Sequence, residues 1–554
     1  MLSLKSPSEY LTEICRRVSA ESKLAFLSAF ISGLLCHLFI FTNSMYNNDD
    51  IRRLYTDNDR SDLGRWLLSY ISGISSDFSL PVVNGILGLL WLSLAAMVLV
   101  SVFKMKNRVF ILLTGALLAV FPSVAAIYSY MFTADPYFFA CLLSVLAVYF
   151  VTSGKRKYSW IAGAVLLCCS MGIYQSYLSF TLLLLVFYYL LMLLQPEKYD
   201  NRTIITAIPS YLAMLVCGVG TYYIGLQITL KVKGISLSEY QGIGESAIPG
   251  FTQIRDRMVH IFRDFYEFFK AGQILALNGW IRTAVVLCVL LGAAFLIMLY
   301  LRNRIFKSRL RSLLILFCIV CIPICINIIY LISDGVTYHM LMRHSWCLLF
   351  IAVLIFCENA VTPARADAAS PSPANITPSS PADTASPSPV DTPSPSRAIT
   401  STGKLLEWGA ALAVLVIVWN FVLLNNIAYF NMNFRYEKTY ALCLKIVDRL
   451  EQQEDYDNDR PIAFIGRYSK TYKMEACEEL LEPMTGMKDS RVFMGTSRAY
   501  LPFMQNCLGE DITTASPEQE EAIRASEEFQ SMPRFPHEGS IRVIDGITVV
   551  KLND

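Results

Sequence analysis

The sequence predicts a polytopic α-helical membrane protein, and three observations predict it. Of 554 residues, 54% are hydrophobic and 17% are charged, against about 45–50% and about 25% in a soluble domain. Mean hydropathy is +0.44. Apolar runs of roughly 20 residues, the length that crosses a bilayer, recur along the chain. The net charge of +2 builds no large basic field, so nucleic acid is not an expected partner.

About eleven spans follow from hydropathy. They lie near 24–42, 80–103, 109–128, 136–152, 159–173, 177–194, 204–226, 281–301, 312–332, 344–358 and 405–425. The polar start leads into a first span without a small-residue cleavage site, so that span is expected to stay. Lys and Arg collect in alternate loops: "KMKNR" (104–108), "SGKRKY" (153–158), "QPEKYDNR" (195–202) and "RNRIFKSRLR" (302–311). The other loops, "YSYMFTAD" (128–135), "IYQS" (173–176) and "SDGVTYHMLMRH" (333–344), carry almost none before Arg343. Positive charge marks the cytoplasmic side. The N-terminus is therefore expected inside, and loops 43–79 and 227–280 outside.

The membrane catalytic part is expected over 1–358. Within it, "LGRWLLSYISGI" (63–74) predicts a helix lying on the membrane surface. The amphipathic stretch 250–278 predicts either a helix packed on the outer ends of the spans or one that grips a lipid or polymer. Residues 359–404 hold a Pro/Ser/Ala/Thr tract that buries no core and serves as a cytoplasmic linker. One last span, 405–425, carries the tail outward. The tail, 426–554, joins an amphipathic helix, "YEKTYALCLKIVDRLEQ", to strand-like runs "RPIAFIGR" and "IRVIDGITVVKLN". It predicts a small extracytoplasmic α/β domain that packs or binds acceptor. Most of the 15 cysteines sit in apolar runs as small hydrophobes. Cys477 and Cys507 lie in the tail and could pair there.

Three polar clusters fall in the expected outer loops. The first is "MYNNDDIRRLYTDNDRSDLGRW" (45–66), with five aspartates and four arginines. Asp49 and Asp50 follow the first span by a few residues; Asp57, Asp59 and Asp62 are expected to be solvated or to pair with Arg60 and Arg65. The second is Asp135 in "YMFTADPYFFA", which either caps the helix that Pro136 opens or joins a site. The third is "TYHMLMRHSW" (337–346). His339 and Arg343 stand four apart, on one face if helical, with His344 adjacent. This grips a phosphate, or Arg343 snorkels at a span end. Carboxylates beside a cationic clamp at one leaflet suit glycosyl transfer from a lipid-phosphate sugar. A carboxylate takes the acceptor's proton, and a cation stabilises the leaving phosphate. No nucleotide-binding loop is present.

"YNNDD", "LGRW", "YMFTADPYFFA", "GIYQSYLS" (172–179) and "FRYEKTYALCLKIVDRLEQ…RPIAFIG" together resemble the bacterial type II glucosyltransferases, serotype-converting O-antigen enzymes of the GT-C class. The resemblance spans nearly the whole chain except the linker. It implies a GT-C type fold, an undecaprenyl-phosphate glucose donor and a surface polysaccharide acceptor at the bacterial inner membrane. It implies a base in the first outer loop, Asp50 ahead of Asp49, and a second acid at Asp135. Arg343, His339 and His344 are then expected at the donor phosphate, and Asn48, Arg65, Tyr174 and Gln175 at sugar or phosphate. No metal or cofactor is expected. A separate lipid-charging glucosyltransferase and a flippase are implied partners. The rival class is a transporter or flippase for a lipid-linked sugar, which favours midplane polar residues, broken helices and internal repeats. His339 and His344 keep an acyltransferase in view.

Overall fold

Local sequence sets where each helix begins. The computed structural model describes residues 6–54, 57–76, 78–153, 158–238, 251–271, 276–332, 336–361, 401–468, 472–489, 491–492 and 497–552. α1 (Pro7–Arg17) and α2 (Ala20–Thr42) are separated by Ser19, whose hydroxyl accepts from the Ser22 amide. The short α3 (Asn48–Ile51) is capped by Asn47, which accepts from the amides of Asp49 and Asp50. α4 (Leu68–Ser75) leads to α5 (Pro81–Phe103), opened by its proline, and Asn107 caps α6 (Arg108–Val120). Pro122 donates no amide and starts a fresh helix, α7 (Pro122–Tyr128), within the same apolar run. Next come α8 (Ala134–Thr152), α9 (Ser159–Ile173), α10 (Tyr177–Leu193) and α11 (Asn201–Lys233), the last capped by Asp200. α12 (Phe251–Ala271), α13 (Gly279–Arg302), α14 (Arg309–Ile326), α15 (Ile329–Ile332) and α16 (Cys347–Val361) precede the Pro/Ser tract.

Among the described residues, 9 helical segments are long and apolar enough to cross a membrane, and α9 and α10 are shorter apolar helices. Ten of the expected spans fall on one of these segments to within a residue, whereas the one at 312–332 is cut short, because α14 ends at Ile326 and α15 is a separate short helix. In the most apolar 18-residue stretch of Arg108–Tyr128, 94% of the residues are buried, so it forms the centre of the bundle. In the corresponding stretches of α11, α13 and α14 the buried share is 17%, 22% and 28%, so they form a rim whose exposed apolar side chains suit lipid. The protein is a polytopic helical membrane protein.

After the tract, α17 (Ser401–Glu451) is one helix of 51 residues, about 76 Å long at 1.5 Å per residue. The expected span 405–425 and the tail's amphipathic helix are thus a single rod. No proline or glycine interrupts it after Gly409, so nothing breaks its hydrogen-bond ladder. Its first half packs on α2, α6, α13 and α16. Tyr429 Oη lies 2.6 Å from His37 Nδ1, and Asn425 Nδ2 donates to Val120 O at 2.8 Å. The expected linker shrinks at both ends, because α16 reaches Val361 and α17 starts at Ser401. Residues 362–400 lie outside the described residues.

The C-terminal region wraps the second half of α17. Its helices are α18 (Glu475–Leu481), α19 (Ser497–Phe503), α20 (Pro517–Ala525) and α21 (Glu527–Ser531). Three strands, β1 (Ile462–Ile465), β2 (Ile541–Ile544) and β3 (Ile547–Lys551), form a sheet in the order β1-β3-β2. β1 runs parallel to β3 and β2 antiparallel to it. The run "IRVIDGITVVKLN" is therefore a hairpin. Asp545 and Gly546 both take positive φ, the geometry a two-residue turn needs. Leu442, Ile446 and Leu450 of α17 pack with Phe464, Phe503 and Val550. Ile51 and Leu54 of the first long loop belong to the same core. Cys477 and Cys507 are free thiols packed against different cores, so the expected pairing is not made.

Candidate active site

The site begins with the loop after α2. Asn47 fixes α3 at its start and also donates through Nδ2 to Ser129 O. Asn58 Nδ2 donates to Phe132 O at 2.8 Å, and the Phe132 amide donates to Asp50 Oδ1 at 3.4 Å. The loop is thus sewn to the turn between α7 and α8, while Ile51 anchors it in the C-terminal core. Further on, Gln175 Nε2 donates to Leu63 O at 2.8 Å and to Tyr222 Oη at 3.1 Å, and Tyr222 Oη donates to Gly64 O at 3.0 Å. Gly64 has φ +77°, and a Cβ there would lie 2.4 Å from Gln175 Nε2. Only glycine suits that turn.

These fastenings surround a cleft of about 570 Å³. Asp49, Arg60, Asp62 and Arg65 line it from the first long loop. Tyr130, Thr133 and Tyr137 line it from the α7–α8 turn and α8, with Tyr174 between α9 and α10. His339, Leu341 and Met342 come from the loop before α16, and Thr485 from the C-terminal region. Tyr137 and Tyr174 stack face to face, 4.1 Å between centroids at 5°. Arg65 Nη1 donates to Tyr137 Oη at 2.6 Å, and its guanidinium lies 5.0 Å from the Tyr174 ring. Tyr174 Oη is buried with no hydrogen-bond partner among the described residues. Burial lowers the Arg60 guanidinium below its ordinary value, while Asp62 supports the charge. Burial, with the charges of Lys488 and Arg343, lowers His339, so it meets a ligand as a neutral imidazole.

A smaller cavity of about 270 Å³ meets this cleft at Asp49 and Tyr130. Asn48 lines it, with Arg435 of α17 and Arg467, Gly486 and Asp489 of the C-terminal region.

The structure divides the expected site residues. Asp49, Arg65, Tyr174 and His339 share the larger cleft, and Asn48 lies in the smaller cavity. Asp50, the favoured base, is only 1% exposed and does not line the cleft. Burial pushes its carboxyl up to about 8, so it holds its proton at neutral pH and ties the loop to Phe132. Asp135 does not cap α8; Thr133 holds that position. Its carboxylate instead accepts from Asn84 Nδ2 of α5 at 2.7 Å, away from the cleft. Gln175 spends its amide on the Leu63 carbonyl and the Tyr222 hydroxyl. Arg343 and His339 share no helical face, because 340–342 is a 3-10 turn. Arg343 grips both carboxylate oxygens of Asp264 on α12, at 2.9 and 2.7 Å, over the Tyr338 and Trp346 rings. Burial works against its charge, but the Asp264 bonds hold its pKa above the usual value. Its charge is matched inside the protein by Asp264, and it lines neither cavity. His344 is buried, with Nε2 at 3.0 Å from Leu118 O and Nδ1 at 3.2 Å from Tyr177 Oη. It reaches neither cavity. Asp59 pairs with Lys233 of α11 at 2.6 Å rather than with Arg60 or Arg65.

The family model described as glucosyl transferase GtrII matches residues 38–360, more than half of the chain. The chain belongs to that family. No curated protein and no solved structure matches it. Membership makes the chain a glycosyltransferase. The larger cleft of this glucosyl transferase lies inside the matched region, except Thr485. The α17 and C-terminal residues of the smaller cavity lie beyond it. The sequence passed over Arg60, Tyr130, Tyr137 and Thr133. Tyr130, Thr133 and Tyr137 stood within the quoted "YMFTADPYFFA", and Arg60 within the charged stretch. Position in a motif was the available signal.

Proposed function

We propose that the protein moves glucose from undecaprenyl-phosphate glucose to a surface polysaccharide such as O-antigen, at the outer face of the bacterial inner membrane. Eleven spans in a GT-C type arrangement, an inside N-terminus and an outside C-terminal domain complete this reading. The observation that carries it is the larger cleft. A carboxylate, Asp49, shares it with Arg60 and Arg65, an aromatic pair and the aliphatic Ile127, Leu341 and Met342. Those groups suit a lipid-linked sugar phosphate. Three of the loops that build the cleft, 128–135, 173–176 and 333–344, belong to the set poor in positive charge, which supports the outer side.

Asp49 acts as the base. It takes the proton of the acceptor hydroxyl as that oxygen bonds to glucose C1. The bond from C1 to the phosphate oxygen breaks, and its electron pair leaves with the phosphate. Arg60 and Arg65 stabilise the charge that develops there. Tyr137 and Tyr174 give the sugar ring a flat apolar face. A lipid-charging glucosyltransferase and a flippase supply the donor.

The experiment follows labelled glucose from polyprenyl-phosphate glucose into envelope polysaccharide, in membranes carrying wild type or Asp49→Asn. Label entering polymer with wild type and not with the variant is expected. Equal transfer by both would remove Asp49 as base, and no transfer by wild type would remove the donor.

A further inference from the structure

The smaller cavity has no assignment, and its make-up differs from the cleft beside it. Its described lining holds no aliphatic side chain. It holds two carboxylates, Asp49 and Asp489, and two guanidinium groups, Arg435 and Arg467, so its formal charges cancel. Asn48 lines it, and its Oδ1 is buried with no hydrogen-bond partner among the described residues. Arg467 Nη2 pairs with Asp489 Oδ2 at 3.1 Å, and Asp489 is also held by Arg491 at 3.0 Å. Arg435 Nη2 donates to Gly486 O at 2.7 Å. These are planar, pre-positioned donors and acceptors of the kind that bind sugar hydroxyls in pairs. Ligand pockets usually run from roughly 300 to 1,000 Å³. At about 270 Å³ this one suits a single sugar unit rather than a lipid.

We infer that this cavity is the acceptor subsite, binding a neutral, hydroxyl-rich sugar unit of the polysaccharide between α3 and the C-terminal region. The inference rests on the proposed glucosyl transfer and deepens it. Asp49 and Tyr130 are the residues the two cavities share. An acceptor hydroxyl presented from the smaller cavity reaches Asp49 from the side away from the aliphatic part of the cleft. The hydroxyl's proton passes to the Asp49 carboxylate, its oxygen bonds to glucose C1, and the phosphate leaves into the larger cleft. The C-terminal region is then part of the acceptor site, not an appended module.

The test separates acceptor from donor. Full-length protein in membranes is given polyprenyl-phosphate glucose and lipid-free envelope polysaccharide. Arg467 is half exposed, so Arg467→Gln leaves the fold in place. It is expected to raise the acceptor KM about tenfold, the loss of one charge-assisted contact, with the donor KM unchanged. Asn48→Ala is expected to act in the same direction. An unchanged acceptor KM in both variants overturns the proposal, as does a fall in kcat alone or an equal rise in both KM values. A second measurement omits the donor. Saturation-transfer NMR of the same polysaccharide with detergent-purified wild type is expected to show contacts that Arg467→Gln loses and Arg65→Gln keeps. No contact with wild type, or contact kept by Arg467→Gln, overturns it. Should wild type transfer no glucose, the donor assignment falls by itself, and the donor-free measurement still decides the subsite.

Discussion

Two neighbouring aspartates have opposite fates here, and the difference is burial. Asp49 opens into both cavities, whereas Asp50 lies beneath it with its carboxyl titrating near 8 instead of 3.8. Asp49→Asn should lower glucosyl transfer by about 10²- to 10⁴-fold, the usual contribution of a positioned base. Asp50→Asn replaces a protonated acid by its isostere and should leave transfer close to wild type, measured in the same labelled-donor assay. The sign of the pH effect follows from the raised value. The folded state binds the Asp50 proton more tightly than the unfolded state. The stability this contributes is complete below about pH 4 and is lost as pH rises through about 8. Thermal unfolding in detergent should therefore show a decline between pH 4 and 8 that is smaller in Asp50→Asn. The sequence brought out the pair and put Asp50 ahead of Asp49, although "NNDDI" carries no mark of which carboxyl turns inward. Ile51 decides it by docking in the C-terminal core, a contact made across some 400 residues. The Arg343–Asp264 pair was hidden for the same reason. Arg343→Ala leaves a nearly buried carboxylate without its partner and should cost about 3–5 kcal/mol. Arg343→Met with Asp264→Leu should recover most of it, as read by a thermal-shift series.

At the scale of the element, what matters is how loops are fastened. Gly486 has φ +80°, and a Cβ there would lie 2.5 Å from Ser129 Oγ. The segment 484–487 carries Thr485 into the cleft and Met484 and Met487 into the membrane core. Gly486→Ala should cost roughly 1–3 kcal/mol of strain and weaken transfer while leaving membrane insertion intact, checked by fractionation beside the activity assay. The spans were legible in the sequence because lipid demands long apolar runs and nothing else imitates them. The 3-10 turn at 340–342 was not, since four-residue spacing has meaning only inside an α-helix. The Asp545–Gly546 turn was in plain view as a "DG" pair and still lay concealed within one apolar run.

For the whole molecule, the two sides of the Pro/Ser tract form one body. α17 packs on five helices from before the tract, α2, α6, α7, α13 and α16, and Ile51 and Leu54 sit in the core it shares with the C-terminal region. A protease site placed near residue 380 and cut after purification should leave fragments that co-elute in detergent and retain transfer. Fragments that separate on a sizing column would contradict that packing. The same rod sets a rule about which changes in length the chain can absorb. Each residue inserted into α17 between its bundle-bound and tail-bound halves turns everything beyond it by about 100° and lifts it by 1.5 Å. Arg435, Asn431 and the segment they hold would then face away from Asn48 and Asp49. The Pro/Ser/Ala/Thr composition of 362–400 sets no helical phase. Across descendants of this sequence, insertions and deletions should accumulate in the tract and be purged from 425–450, even where both stretches change freely in composition.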